Sequence, residues 1–129
     1  VAAARPDRPV VLFDGDGSLL MHVQELETIR RHGMRMLVVV INDGAYGSEV
    51  HKLRSEGFPD DGSVFGYSDF AAIARGFGLA GKTFTSLDGL PQALAEFSAG
   101  QGAAVWDFRV SDKVLSPSIR RAHPQPAKK

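Results

Sequence analysis

Short apolar runs alternate along the chain with segments whose apolar residues recur at helical spacing. Residues 10–13 and 36–41 are unbroken apolar runs, and the second is rich in β-branched side chains. Runs of this length are typical of parallel strands that are buried on both faces. Residues 18–32 between them carry apolar side chains every three or four positions, which predicts one amphipathic helix. The pattern therefore predicts a strand, a crossover helix and a parallel strand.

The alternation continues through the second half of the chain and predicts an α/β fold. We expect a mainly parallel sheet of about four or five strands, sandwiched by helices on both faces. The further predicted elements are helices over 48–56, 69–77 and 89–99, strands over 82–86 and 104–110, a loop over 57–66, and a helical remnant over 2–5. Asp69 is placed to cap the second of these helices.

Length and composition fit one domain. The chain has 129 residues, which is enough for a single hydrophobic core. We predict that residues 1–115 form this domain, and that the proline-containing residues 116–129 form an extended or disordered tail. The first residues resemble the end of a helix that leads directly into a strand, so we expect an N-terminally truncated piece of a longer chain.

Charge and cysteine content exclude several classes of protein. Fifteen basic and fifteen acidic residues balance, so no nucleic-acid footprint is visible. The absence of cysteine excludes disulfides and thiolate chemistry. No apolar run approaches the roughly 20 residues of a membrane span, and the N-terminus does not resemble a signal peptide. We therefore expect a cytoplasmic protein without nucleic-acid or membrane partners.

The first two predicted strands each end in a glycine-containing turn that carries a carboxylate. Gly15, Asp16 and Gly17 follow the first strand, and Asn42 and Asp43 follow the second. Neighbouring parallel strands end at the same edge of a sheet, where α/β proteins bind their ligands. Mg²⁺ usually combines one or two carboxylates with phosphate oxygens and water. Glycines let main-chain N–H groups approach an anion, so these turns predict a site for a cation and a phosphate.

Written as GDGS, a gap and NDxxYG, the stretch from Val10 to Gly47 resembles the diphosphate-binding motif of thiamine diphosphate enzymes of the acetolactate synthase and benzoylformate decarboxylase group. The spacing of the two halves and the MxxxELxTxxR pattern between them also fit that family. The resemblance implies the C-terminal cofactor-binding domain. The cofactor-binding residues that it implies are Gly15, Asp16, Gly17, Ser18, Asp43, Ala45, Tyr46 and Gly47. The Mg²⁺ ligands that it implies are the side chains of Asp16 and Asp43 and the backbone carbonyl of Ala45.

The second turn departs from the family's commonest form. Two asparagines are usual there, whereas this chain has Asn42 followed by Asp43. An anionic ligand then replaces a neutral one. We expect tighter metal binding that weakens as the pH falls.

The resemblance also implies a reaction for the longer enzyme. This reaction is decarboxylation of a 2-keto acid such as pyruvate and transfer of the acyl-carbanion equivalent to an acceptor. Carboligation is favoured, because the stretch VWDFRVSDKVLSPSIRR resembles the synthase branch. The implied partners are the upstream domains and a second subunit of a homodimer or homotetramer, and the resemblance allows FAD as a second cofactor. The activating Glu would come from an upstream domain of the second subunit, so no catalytic residue is assigned to this chain.

Two other functions stay open at this point. FDGDGSLL also resembles the haloacid dehalogenase phosphatase signature, with Asp14 as nucleophile and Asp16 as general acid. That interpretation needs a second strand that ends in Ser or Thr, but this one ends in Asn42, and only Asp60 and Asp61 could serve as its acidic pair. The other alternative is a module that binds the cofactor without catalysis.

The four histidines show no metal-ligand spacing. His22, His32 and His123 are interpreted as surface or helix-end residues. His51 lies just past the second turn, near the expected substrate side, and is a candidate for a functional role by that position.

Overall fold

A computed structural model describes residues 2–122 and contains a four-stranded sheet flanked by helices. The strands are β1 (Val10–Gly15), β2 (Met36–Asn42), β3 (Ala80–Phe84) and β4 (Ala104–Arg109). Their order in the sheet is β1-β2-β4-β3, and every neighbouring pair is parallel. The predicted α/β fold with a parallel sheet is confirmed.

Six helices connect and follow the strands in the described part of the chain. They are α1 (Asp16–Met21), α2 (Glu25–Arg31), α3 (Gly47–Glu56), α4 (Phe70–Gly76), α5 (Leu90–Ala99) and α6 (Pro117–Ala122). Short 3-10 turns lie at Ala2–Ala4 and Asp61–Ser63. Asp69 caps α4 as predicted, because its carboxylate accepts a hydrogen bond from the N–H of Ala72 at 2.8 Å.

The core lies on both faces of the sheet, and β2 contributes to both. Val38 and Val40 pack on one face with α2 and α4, while Leu37 and Val39 pack on the other with α5. Because successive strand residues point to opposite faces, this alternation accounts for the unbroken apolar run. The second face is only partly covered: Phe13 of β1 remains 70% exposed.

The predicted helix over 18–32 is wrong in one respect, because the structure has two helices there. His22 ends α1 with φ −139° and ψ 28°, and its ring Nε2 lies 3.2 Å from Asp14 Oδ2. The apolar spacing does not reveal this break, since Leu19, Leu26 and Ile29 on either side of it enter the same core.

The start of α1 also differs from the prediction. The predicted helix begins at residue 18, whereas α1 begins at Asp16, with Gly15 at the N-cap position and Ser18 inside the first turn. The main-chain N–H groups at the start of α1 therefore belong to residues nearer to the strand than expected.

Other boundaries shift by a few residues or change type. The predicted strand over 82–86 is β3, which begins earlier, and the remnant over 2–5 is a 3-10 turn. Within the predicted tail, residues 117–122 form α6 rather than an extended segment, with Ser116 Oγ accepting a hydrogen bond from the N–H of Ile119 at 3.2 Å. Residues 123–129 of the tail, including His123, lie outside the described residues.

Candidate functional site

A cleft of about 1000 Å³ opens at the carboxyl edge of the sheet. The turns after β1 and β2 form one side of it, and the segment after β4 forms the other. All of the predicted cofactor-binding residues line this cleft: Gly15, Asp16, Gly17, Ser18, Asp43, Ala45, Tyr46 and Gly47. The register explains their convergence, because Gly15 pairs with Ile41 and both strands therefore end at one level.

Asp16 joins the two turns. Its side chain is buried, at 2% exposure for the residue, and Oδ2 accepts a hydrogen bond from the N–H of Gly44 at 2.8 Å. Burial raises the pKa of Asp16, and the nearby charge of Asp43 raises it further, against the lowering effect of the N–H groups of Gly17 and Gly44. The negative charge of ionised Asp16 is therefore poorly compensated, and a bound cation would compensate it.

Asp43 is held by its own turn. Oδ1 accepts a hydrogen bond from the N–H of Ala45 at 3.2 Å. Its other carboxylate oxygen lies against Gly47, where an added Cβ would overlap it. Glycine at the start of α3 thus leaves the space in which the Asp43 carboxylate sits.

Gly47→Ala is expected to displace the Asp43 carboxylate and to destabilise the fold by about 1–3 kcal/mol, the usual cost of overpacking. Gly62→Ala is the matched control, because a Cβ there meets nothing within 4 Å. Urea unfolding of both variants gives the two free energies. Equal stability of the two variants would contradict the crowding at Gly47.

The loop over 57–66, whose role the sequence did not reveal, supports the second turn. The N–H groups of Phe65 and Gly66 donate to the carbonyl of Gly44 at 2.9 and 2.8 Å, and the N–H of Tyr46 donates to the carbonyl of Ser63 at 2.9 Å. Gly44 has φ +73°, a conformation that favours glycine. These bonds fix the backbone that carries Asp43.

Tyr46 forms part of the cleft rim. A Cβ on Gly17 would lie 2.7 Å from two of its ring carbons, so the ring packs directly on that glycine. The ring meets Phe65 edge to face, with centroids 5.1 Å apart. Tyr46 is still 45% exposed, which leaves it accessible from the cleft.

Asn42, part of the NDxxYG motif, is fully buried and ties β2 to its neighbours. Its Nδ2 donates to Asp107 Oδ1 at 2.8 Å and to the carbonyl of Ser68 at 3.0 Å. Arg109 Nη2 lies 2.9 Å from Asp107 Oδ2, a charge contact without good hydrogen-bond alignment. Asp107 was not predicted from the sequence, although an Asp inside an otherwise apolar strand indicates a buried carboxylate with a partner.

The opposite wall of the cleft was also missed. It is formed by Val110, Ser111, Val114, Leu115, Ser116, Pro117 and Ile119, which we call the C-terminal wall. Arg54 of α3 anchors it by donating to the carbonyl of Asp112 at 3.0 Å and to its carboxylate at 2.9 Å. The hydrogen bond from Arg54 lowers the pKa of Asp112. The stabilisation from this contact is therefore fully present at pH values above the ordinary pKa of an Asp, and it is lost as the pH falls through the lowered pKa.

The charge of the cleft restricts what can bind. Its acidic residues are Asp16, Asp43 and Glu49, and no Lys or Arg occurs among the described residues that line it. An anionic ligand would be repelled unless a cation lay between. Residues 2–122 contain no group of three or more His, Asp or Glu side chains that could hold a metal by themselves. A cation in this cleft would therefore have to take part of its coordination from backbone, water or a ligand.

The phosphatase alternative is not supported. Asp14 does not line the cleft: one carboxylate oxygen accepts the N–H of Gly15 at 2.9 Å and the other faces His22. Asp60 is paired with Arg54. A nucleophile at Asp14 and an acid at Asp16 would have to face one substrate, and they do not.

Parallel strands that end in glycine turns with two carboxylates at one sheet edge define an α/β domain whose ligand site lies at that edge. The comparison with family models identifies the kind of domain. The chain belongs to the family "Thiamine pyrophosphate enzyme, C-terminal TPP binding domain", whose model matches residues 1–108.

The curated relatives are acetolactate synthase large subunits, and their chains are longer than this one. The chain is 36% identical to the acetolactate synthase large subunit of Parasynechococcus marenigrum over 95 residues, which are 71% of this chain and 15% of the relative. It is 41% identical to the acetolactate synthase isozyme 1 large subunit of Escherichia coli over 83 residues, 60% of this chain and 14% of the relative. The chain thus spans about a seventh of these relatives.

A solved structure shares the fold. The thiamine diphosphate-dependent 4-hydroxybenzoylformate decarboxylase of Rhodococcus jostii RHA1 superposes with a TM-score of 0.75 at 23% identity, over 85% of this chain and 21% of that chain. The resemblance noted in the sequence is therefore confirmed at the level of family and fold. The roles of individual residues toward cofactor and metal stay predictions.

No helix within residues 2–122 has the length and apolar character needed to cross a membrane.

Proposed function

We propose that the cleft binds thiamine diphosphate through Mg²⁺, with Asp16, Asp43 and the backbone carbonyl of Ala45 as the protein ligands. The observation that carries this proposal is that Asp16 accepts the N–H of Gly44, the residue next to Asp43, so that both carboxylates line one cleft whose described lining has no Lys or Arg. These residues fit Mg²⁺, because this ion favours one or two carboxylate ligands, with phosphate oxygens completing its coordination shell.

The glycine turn after β1 is proposed to receive the diphosphate. Gly15 has open space where a side chain would stand, and the main-chain N–H of Ser18 lies in the first turn of α1. Tyr46 and Gly47 complete the wall beside the metal ligands. When bound, the thiazolium of the cofactor supplies the carbanion chemistry, while the protein supplies placement and charge.

For the longer enzyme we propose decarboxylation of a 2-keto acid and transfer of the acyl-carbanion equivalent to an acceptor, with carboligation as the outcome. The acetolactate synthase relatives support this proposal. The same relatives, being several times longer than this chain, support upstream domains as partners. A second copy in a homo-oligomer, a cytoplasmic location and FAD in the longer enzyme are part of the proposal. The 129-residue chain alone is expected to bind the cofactor and to be inactive with pyruvate.

Calorimetric titration tests the binding proposal. Thiamine diphosphate is added to the chain in Mg²⁺ and, separately, in EDTA; thiamine without phosphates is the comparison ligand. We expect heat of binding only for the diphosphate and only with Mg²⁺. Equal binding of thiamine, or binding in EDTA, would contradict a site built on the metal and the diphosphate.

Asp43→Asn is expected to weaken Mg²⁺ binding at neutral pH and to change its pH dependence. In the parent, protons compete with the metal for Asp16, whose pKa is raised by burial and by the charge of Asp43. Removing that charge takes away one raising effect, so the decline in Mg²⁺ affinity moves to lower pH and becomes shallower. Titrations from about pH 3 to about pH 8, which include the ordinary Asp pKa of about 3.9 and values raised above it, measure both curves. Parallel curves would contradict a metal contact by Asp43.

A further inference from the structure

His51 is a buried imidazole in the wall of the cleft. It lies on α3, is 5% exposed and lines the cleft with Asp16 and Asp43. It is four positions after Gly47, and side chains four apart on a helix lie one above the other. The ring of His51 therefore lies on the same side of α3 as Gly47, which contacts the Asp43 carboxylate.

The ring of His51 has polar groups without a protein partner. Within the described part of the chain neither ring nitrogen makes a hydrogen bond or an ion pair, in contrast to His22 with Asp14. The fully enclosed side-chain polar atoms without a partner there are Arg35 Nε, Asn42 Oδ1 and Asp107 Oδ2, so the nitrogens of His51 are not sealed off. Buried polar groups normally find a partner. A bound molecule in the cleft would provide one.

The charges around His51 are mainly negative, so an oxyanion bound here would need a cation beside it and a hydrogen-bond donor of its own. Asp16 and Asp43 on the two turns and Glu49 on its own helix are acidic. Arg54, one turn further along α3, is already engaged by Asp60 and Asp112. Among the described residues that line the cleft, His51 is the one whose side chain carries nitrogen, and an imidazole N–H is a hydrogen-bond donor.

We propose that His51 is the oxyanion-binding residue of the cleft, donating a hydrogen bond from a ring nitrogen to a carboxylate or phosphate oxygen of the bound molecule. This inference rests on the proposed function, which supplies two molecules with such oxygens: the diphosphate of the cofactor and the carboxylate of a 2-keto acid. If His51 donates to the carboxylate of the 2-keto acid, the enzyme would prefer keto acids to aldehydes, which lack that carboxylate.

Nitrogen-15 NMR of the histidine rings tests the proposal on the labelled 129-residue chain. The additions are Mg²⁺ with inorganic diphosphate, Mg²⁺ with thiamine diphosphate, and pyruvate alone or after the cofactor. His22 and His32 do not line the cleft and serve as controls in the same spectrum. We expect the ring signals of His51 to shift and those of the controls to stay. A shift with inorganic diphosphate identifies the phosphate, and a shift only with pyruvate identifies the carboxylate.

Affinity provides the second measurement. His51→Leu is expected to weaken binding of the identified oxyanion about ten-fold, the effect of losing one hydrogen bond to a charged group, because leucine has no N–H to donate. His22→Leu should bind as the parent does, and His51→Phe replaces His51→Leu if the latter fails to fold.

The outcomes separate this proposal from the proposed function. Cofactor binding with unmoved His51 signals, with and without pyruvate, and parent-like affinity in His51→Leu would overturn the role of His51 alone. His51 signals that respond to diphosphate or pyruvate, with no Mg²⁺-dependent binding of thiamine diphosphate, would overturn the proposed function alone. No response to any addition would overturn both.

Discussion

Asp16→Asn is expected to abolish measurable Mg²⁺-dependent binding of thiamine diphosphate. Asparagine keeps an oxygen that can accept the N–H of Gly44, so the turn is retained. It removes the charge for which the cleft has no substitute other than Asp43 and Glu49. Loss of a supporting partner at a metal site already costs roughly 10–100-fold in affinity, and loss of a ligand costs more. Calorimetry with Mg²⁺ and the cofactor measures the change.

Asp14→Asn is the matched control for this prediction. It is the same substitution two residues earlier, on a side chain that faces His22 and lies outside the cleft. We expect Asp14→Asn to bind the cofactor as the parent does. Similar losses of cofactor affinity in the two variants would show that Asp16 has no special role. A loss confined to Asp14→Asn would indicate that Asp14, and not Asp16, supports binding.

Arg109→Met is expected to destabilise the fold by about 3 kcal/mol, because removing one partner of a buried ion pair leaves the other uncompensated. Asp107 is fully buried, and Arg109 is its charged partner at 2.9 Å, with Asn42 on the other carboxylate oxygen. The residues tie β2 to β4 just below the cleft, so cofactor affinity should fall as well. Urea unfolding of the variant measures the change in free energy.

Arg31→Met provides the comparison for the ion pair. Arg31 contacts Glu27 at 3.0 Å on the surface of α2, where both side chains are more than half exposed. Such pairs contribute about 0.5 kcal/mol or less. Equal effects of the two substitutions would indicate that the Asp107 contact is no stronger than a surface pair.

The sequence predicted those parts of the site that rest on local pattern. The two apolar runs gave β1 and β2, and their parallel pairing placed Asp16 beside the second turn, where it accepts the N–H of Gly44. The glycines and the motif spacing identified the cleft residues, because a strand, a helix and a parallel strand bring both turns to the same edge of the sheet.

Features that depend on tertiary contacts could not be predicted in this way. The break at His22 leaves the apolar spacing intact, so periodicity misses it. The C-terminal wall reaches the cleft because β4 lies next to β2 in the sheet order, which no local pattern specifies. Asp107 meets Asn42 across the same pair of strands, between residues far apart in the sequence.

Thermal unfolding with and without each component tests the binding site most directly. The chain is heated alone, with Mg²⁺, with thiamine diphosphate in EDTA, and with both together. At a hundred times the dissociation constant, binding to the folded state stabilises by about 2.7 kcal/mol, or roughly 10 °C for a domain of this size. We expect that rise only when both components are present. An unchanged midpoint with both present, or an equal rise with the cofactor in EDTA, would contradict a metal-bridged site between Asp16 and Asp43.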